Sequence, residues 1–315
     1  MGPEVFNLEK LKSDFNLPDN VICASGLSAD DLEKIYYDYY GRLGDLEKCK
    51  NDFISEYILG AKNIRLHSHG SRVKDPYHLL EKIIRKKHNN FEKYEAMQTD
   101  DYFKYITDLI GCRILLVYKE DWERLHEYLV NTFDNIEENY INKKDYSGSY
   151  QRTFIKPFMA ERPVAYIRPG DYDDIYRKHS DLDINREGYY RSVHYIIRLK
   201  EYYIELQVRS LYEEAWGEVD HDILYPLHKD NSRLVKFSQI LNRIAGVGDE
   251  LSDYFKEYAQ KIEASRVNTL KDTPPVGPAL SYNTLDSRYT GNDTNSPTVS
   301  ETSTPQGEMH RILQE

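Results

Sequence analysis

The sequence predicts an α/β fold in which helices cover a sheet, and three observations carry that expectation. Cys112–Tyr118 (CRILLVY) is a continuous apolar run, the pattern of a central strand buried on both faces. Trp122–Phe133 follows it as a helix, with Trp122, Leu125, Leu129 and Phe133 along one side. Ser192–Leu199 and Tyr202–Arg209 are strand-like runs separated only by Lys200-Glu201. That gap is too short for a crossover, so the two form an antiparallel hairpin.

The remaining elements follow in chain order. Residues 1–27 are loosely patterned. Ser28–Lys62 reads as a helix, because Leu32, Ile35, Tyr36, Tyr39, Leu43, Leu46 and Phe53 recur at helical spacing and Ser28 with Asp31 makes an acidic start. Asn63–Ser68 has the look of a short strand. A second helix begins at Asp75-Pro76, where aspartate caps and proline suits the first helical position. Its buried stripe is Leu79, Leu80, Ile83 and Ile84. Asn135–Glu187 is the least patterned region, with a short strand at Val164–Ile167 and a turn at Pro169–Asp171. Asp171, Asp173 and Asp174 there could hold a metal, but an acidic solvated loop is the plainer reading. Ser210 caps a helix, with Glu213 completing a capping box and Leu211, Ala215, Val219 and Ile223 on the expected buried side. Another amphipathic helix covers about Ser232 to Ile262. From Asn268 the chain turns to Ser, Thr, Pro, Asn and Gly, the composition of a disordered tail.

Composition narrows the function. A chain of 315 residues with 40% hydrophobic content builds one large domain with helical additions. No run of about 18 apolar residues is present, so no membrane span is expected. Met1–Lys12 lacks a signal pattern, and the cytoplasm is the expected compartment. Cys23, Cys49 and Cys112 are too scattered for a disulfide framework or a zinc site. A net charge of -11 argues against general nucleic-acid binding. Within that acidic chain, Arg72, Lys74, Lys82, Arg85, Lys86, Lys87 and Lys93 form a basic island, which suggests a focused anion site.

The hairpin supplies the chemistry. Side chains alternate along a strand, so Glu205, Gln207 and Arg209 share one face, while Ile204, Leu206 and Val208 share the other. Pairing across Lys200-Glu201 sets Arg198 against Tyr203, Ile196 against Glu205, His194 against Gln207 and Ser192 against Arg209. Opposed residues lie on one face, so Ser192, His194 and Arg198 join the same polar surface. A wet sheet face is the plain alternative, but a carboxylate that holds a cation beside groups that hold phosphate oxygens is an unusual mixture for one. Asp108, at the entrance to the apolar strand, is a second carboxylate within reach of a shared ligand, and Gly111 nearby permits a tight approach. Two carboxylates with phosphate oxygens are the usual way to hold Mg²⁺.

These residues fall into ordered blocks: Arg72-Val-Lys74, Lys82, Asp108-Leu-Ile-Gly-Cys-Arg113, Tyr190-Arg-Ser-Val-His194, Glu205-Leu-Gln207-Val-Arg209 and Trp216-Gly-Glu-Val-Asp220-His221. Together they resemble the synthetase domain of RelA/SpoT proteins, the makers of the alarmones pppGpp and ppGpp. The resemblance implies an α/β (α+β) fold: a nucleotidyltransferase-like mixed β-sheet flanked by helices. It implies a division into an N-terminal helical extension (1–62), a synthetase domain with a C-terminal helix (63–265) and the tail (266–315).

The resemblance also implies roles. Arg72, Lys74, Lys82 and Arg113 would bind ATP. Asp108 and Glu205 would hold Mg²⁺, with Glu205 the candidate general base. Tyr190 would stack on the guanine of a GDP or GTP acceptor, and His194, Gln207 and Arg209 would serve the acceptor side. The family's Gly-Tyr-Arg-Ser reads Gly188-Tyr189-Tyr190-Arg-Ser here, which leaves open whether Tyr189 or Tyr190 stacks. Glu187 stands where the family has a different polar residue. His221-Asp222 is superficially like a hydrolase metal pair but falls within the synthetase pattern.

The implied activity is transfer of the β,γ-diphosphate of ATP to the 3′-hydroxyl of a guanine nucleotide. The alternatives are a toxic relative that modifies the tRNA 3′ end or an adenine nucleotide, and a catalytically silent nucleotide-binding module. A tRNA acceptor would ask for an exposed basic track, for which Lys86, Lys87, Lys93, Lys143 and Lys144 are candidates. No membrane partner is expected, and homo-oligomerisation is left open.

Overall fold

In the computed structural model, residues 4–61, 64–133, 140–144, 150–154, 156–224, 228 and 230–271 are described. The chain opens with two short helices, α1 (Leu8–Phe15) and α2 (Asp19–Ala24), where the sequence had shown only loose patterning. Both are too short for periodicity to reveal. The long helix α3 (Ala29–Phe53) begins at a reciprocal capping box between Ser28 and Asp31, as expected, and ends in a π turn over Ile54–Ile58. Leu32, Ile35, Tyr36, Tyr39, Leu46 and Phe53 are buried.

The first strand, β1 (Ser68–Val73), starts where the expected strand at Asn63–Ser68 was to end. Asp75 then caps α4 (Pro76–Asn89), accepting from the backbone of Tyr77 at 2.8 Å and His78 at 3.2 Å, and a single turn, α5 (Phe91–Tyr94), follows. Strand β2 (Ile110–Leu116) leads into α6 (Trp122–Phe133). The separate ribbon β3 (Tyr140–Lys144) and β4 (Tyr150–Phe154) comes next, then β5 (Phe158–Met159), β6 (Val164–Tyr166), the single turn α7 (Asp174–Arg177) and β7 (Asp183–Asn185). The hairpin is β8 (Ser192–Leu199) and β9 (Tyr202–Ser210), followed by α8 (Leu211–Leu224) and α9 (Ser232–Lys271).

The expected mixed sheet is present. Its strand order is β1-β2-β9-β8-β6-β7, with β5 also paired to β8. β2 runs parallel to β9 and β6 parallel to β7, and the other pairings are antiparallel. The hairpin register is the one required by a two-residue turn: Leu199 pairs with Tyr202, Ile196 with Glu205 and His194 with Gln207. Lys200 absorbs the turn in a left-handed conformation, φ +58°, which Lys-Glu would not announce.

One expectation for β2 is corrected. Its burial alternates: Ile110, Cys112, Ile114 and Leu116 are buried, while Gly111, Arg113 and Leu115 are only partly covered. One face joins the core, and the other is the floor of a cleft. Nor is Gly111 needed for a tight approach, since a Cβ there would sit in ordinary contact, 3.8 Å from Arg72 Cγ.

The core runs from Leu11 of α1 to Val208 of β9 and includes Tyr195. The Tyr195 hydroxyl accepts from Trp122 Nε1 at 2.9 Å and lies 3.0 Å from His126 Nδ1. By internal contacts the chain divides into Met1–Ala264 and Ser265–Glu315. In the second, residues 265–271 are helical, and the rest of the expected tail lies outside the described residues.

Candidate active site

The register assembles the site row by row. Arg72 pairs with Gly111 and Gly111 with Glu205. In the next row Gly70, Arg113, Gln207, His194 and Val164 stand side by side across the sheet. Adjacent strands are separated by about 4.8 Å, so these rows are compact enough for one ligand to span several side chains. A cleft of about 390 Å³ opens over them, lined by Arg72, Lys74, Asp108, Arg113, Glu205 and Gln207 among others.

Asp108 is the charge centre of one end. Lys74 Nζ lies 3.0 Å from its Oδ2, and Lys82 Nζ contacts the same oxygen. Its Oδ1 is buried without a hydrogen-bond partner among the described residues. Burial pushes the Lys82 ammonium below its ordinary value, with Asp108 opposing. Arg72, the other expected ATP ligand on this side, is exposed at the cleft mouth.

Glu205 sits at the centre of the floor. Gln207 Nε2 donates to its Oε2 at 2.8 Å, and His194 Nδ1 lies 3.5 Å from its Oε1. Burial alone would raise this carboxyl. The hydrogen bonds and charge of His194, with Gln207 and Lys82, outweigh burial and bring it down to about 2. Glu205 is therefore a fixed negative charge.

The hairpin side forms a connected network. Tyr190 Oη lies 3.0 Å from His194 Nε2 and 3.5 Å from Gln207 Oε1. Arg209 donates to that hydroxyl, lies 5.0 Å from the Tyr190 ring centroid, and reaches Gln207 Oε1 at 3.0 Å. Tyr189, by contrast, is 47% exposed. The structure thus distinguishes the two tyrosines: one is tied into the site, the other faces outward. Gly188 just before them has φ +82°, a conformation that favours glycine.

Sequence reasoning missed several participants. Glu214 and Glu218 of α8 both accept from Arg113, Glu218 at 2.6 Å, and Glu214 also accepts from Arg209 at 3.0 Å. Their spacing of one helical turn was the available signal. Consequently α8 turns its acidic side to the sheet. The expected buried side is corrected: Val219 and Ile223 are 43% and 46% exposed, and Glu213 and Trp216 are buried instead. The capping box at Ser210 and Glu213 does form. Tyr166, in the Ala165–Asp171 segment that the sequence offers as part of an acceptor loop, joins the site. Its ring meets Tyr190 at 5.7 Å and His194 at 4.8 Å.

Two other expectations change. Asp171 and Asp173 are not solvated. Asp171 takes Arg168 at 2.6 Å and Arg191 at 2.9 Å, and Asp173 takes Arg177 at 2.8 Å and also Arg186. Two members of the basic island, Lys86 and Lys87, are structural as well. Lys87 is buried, donating to Tyr94 O at 2.9 Å and Met97 O at 3.4 Å, and Lys86 donates to the Tyr94 hydroxyl at 2.9 Å.

With this geometry in place, a family model described as the region found in RelA / SpoT proteins matches residues 71–230. The chain belongs to the RelA/SpoT family. The match begins next to Arg72 and spans each of the blocks quoted above. No curated protein matches the chain.

Among solved structures, this RelA/SpoT chain is similar to the small alarmone synthetase 1 of Bacillus subtilis bound to its product pppGpp. The identity is 19%, over 69% of this chain and 93% of that one, with a TM-score of 0.42. It is also similar to a GTP pyrophosphokinase family protein of Streptococcus pneumoniae, at 16% identity over 76% and 98% of the two chains, with a TM-score of 0.41. Among the described residues, no helix is long and apolar enough to cross a membrane.

Proposed function

We propose that the protein transfers the β,γ-diphosphate of ATP to the 3′-hydroxyl of GDP or GTP, making ppGpp or pppGpp and releasing AMP. The observation that carries this reading is the pair of cleft carboxylates, Asp108 and Glu205, set among Lys74, Lys82, Arg72 and Arg113 in a chain of this family.

Each group has work consistent with that step. The acceptor oxygen forms its bond to the β-phosphorus while the bond from that phosphorus to the α,β-bridging oxygen breaks, leaving on AMP. Such transfers depend on positioning and charge neutralisation more than on covalent help from the protein. Lys74, Lys82 and Arg72 line the side on which the ATP phosphates would lie. Arg113 would exchange Glu214 and Glu218 for phosphate oxygens.

Asp108 and Glu205 fit a divalent cation: the Asp108 Oδ1 is buried and unpartnered, and Glu205 stays ionised. Mg²⁺ held there would neutralise charge on the transferred group. Glu205 is the candidate general base by position. At a value near 2 it is a weak proton acceptor, so its fixed charge is its main asset. Tyr190, held by His194 and Arg209, is the proposed platform for the guanine, with Tyr166 against its edge.

A tRNA acceptor has less support. Lys86 and Lys87 are engaged with Tyr94 and Met97, and the side chains of Lys143 and Lys144 lie outside the described residues. The test is incubation with Mg²⁺ and γ-labelled ATP, offering GDP, GTP, ATP and deacylated tRNA separately. Label in ppGpp or pppGpp supports the proposal. Label only in an adenine product or tRNA changes the acceptor, and label in none overturns the activity.

A further inference from the structure

Helix α9 has two different faces. Its inner face is buried: Asn242, Ala245 and Asp249 are at most 6% exposed. Asn242 Nδ2 donates to the Tyr189 carbonyl at 2.6 Å, and Arg191 lies 3.8 Å from Asp249. Its outer face is apolar and uncovered among the described residues. Phe237, Ile240, Ile244, Val247, Leu251, Tyr254 and Tyr258 are 52–65% exposed. Their steps alternate between three and four residues, which is the seam of a coiled coil rather than the broader stripe of a helix packed on its own domain. A continuous apolar strip of this length exceeds what a monomer ordinarily leaves in water.

The flanking charges choose the occupant. Lys236, Arg243, Glu250 and Glu257 each stand one residue before a seam position, and all are exposed. The first two are basic and the last two acidic. In a parallel pair these positions would face Leu241, Gly248, Phe255 and Ile262, which carry no charge. In an antiparallel pair they face one another in reverse order. Lys236 then meets Glu257 of the second copy, and Arg243 meets Glu250 of the second copy. Both pairings share one centre, between Gly246 and Val247, so a single two-fold axis satisfies them together. The other flank, with Phe255 65% and Ile262 40% exposed, widens the apolar contact.

We propose that α9 pairs with α9 of a second copy of this chain as an antiparallel two-stranded coiled coil centred between Gly246 and Val247. The helix whose inner face holds Tyr189 and Arg191 is then braced from outside by its twin. This assignment is independent of the acceptor that the enzyme uses.

The test is sedimentation velocity on the full chain over a dilution series, with two charge-swapped variants. One carries Lys236→Glu with Arg243→Glu, the other Glu250→Lys with Glu257→Lys. These side chains are exposed, and circular dichroism checks that each variant keeps its helix content. The wild type is expected to dimerise. Each variant alone should dimerise more weakly by roughly tenfold or more, because its symmetric pairs change from attraction to repulsion. An equimolar mixture should recover wild-type affinity as a heterodimer. A wild type that stays monomeric at every concentration overturns the proposal and leaves the seam to a different protein. A dimer indifferent to both swaps, or a mixture that fails to recover, overturns the antiparallel pairing.

Discussion

The hydroxyl of Tyr190 lies 3.0 Å from Nε2 of His194, and His194 in turn presents Nδ1 to Glu205 at 3.5 Å. An aromatic ring on the acceptor side is thereby linked through one imidazole to the central carboxylate. Base stacking on an aromatic side chain contributes roughly 1–3 kcal/mol. Tyr190→Ala should therefore raise the acceptor KM by about 5- to 150-fold and leave the ATP KM within a factor of about 2. Tyr189→Ala, at an exposed position, should leave both KM values within a factor of about 2. Steady-state kinetics with each substrate varied in turn decides it, and a reversed pattern would move the stacking role to Tyr189.

The carboxylates give a second prediction. Glu205→Gln should lower kcat by roughly 10²- to 10⁴-fold if the group acts on the acceptor hydroxyl, and Asp108→Asn should be comparably severe. Asp108→Asn also leaves Lys74 and Lys82 without their shared partner. Single-turnover assays across a Mg²⁺ titration check both. Near-normal turnover in either variant removes that residue from the chemistry.

Glu205 predicts a pH dependence of stability. Its folded value, about 2, lies below the ordinary 4.5. Its contribution is therefore fully present above about pH 4.5 and is lost as the pH falls toward 2. The shift corresponds to on the order of 3 kcal/mol, with the side chain 21% exposed. Urea unfolding of the wild type and Glu205→Gln should show their difference shrinking from pH 5 to pH 2. A constant difference would mean that the network does not hold the charge.

Gly246 makes a fourth. A Cβ there would collide with Arg191 Nη2 and lie 2.9 Å from its Nη1, and Arg191 is 1% exposed and ion-paired to Asp171. Gly246→Ala should destabilise the fold by about 1–3 kcal/mol, the usual range for overpacking. Gly44 of α3 has nothing within 4 Å, so Gly44→Ala should stabilise by up to about 1 kcal/mol. Thermal unfolding of the pair gives opposite signs if the close approach is real.

Much of the site was legible because strand periodicity is strict. With Lys200-Glu201 as the turn, the parity of His194, Glu205, Gln207 and Arg209 follows, and the register bears it out for the three within the paired segment. Asp108 and the lysines were legible as chemistry, though their sharing of one oxygen was not. What stayed hidden depends on how a helix is rotated against a sheet. Glu214 and Glu218 look like surface residues until Arg113 and Arg209 are placed beneath them. The same rotation leaves Val219 and Ile223 outside, against their helical pattern. Lys87 counts in the basic island because sequence gives charge and not direction; its stem runs inward to the carbonyls of Tyr94 and Met97.

The ion pairs of the cleft have a consequence for salt. Lys74, Lys82, Arg113 and Arg209 already hold carboxylates of their own chain. A phosphate arriving there displaces a tethered anion and not a loosely held one from solution. Adding salt then weakens the occupant and the newcomer together, so nucleotide affinity should fall less steeply with ionic strength than the local density of positive charge implies.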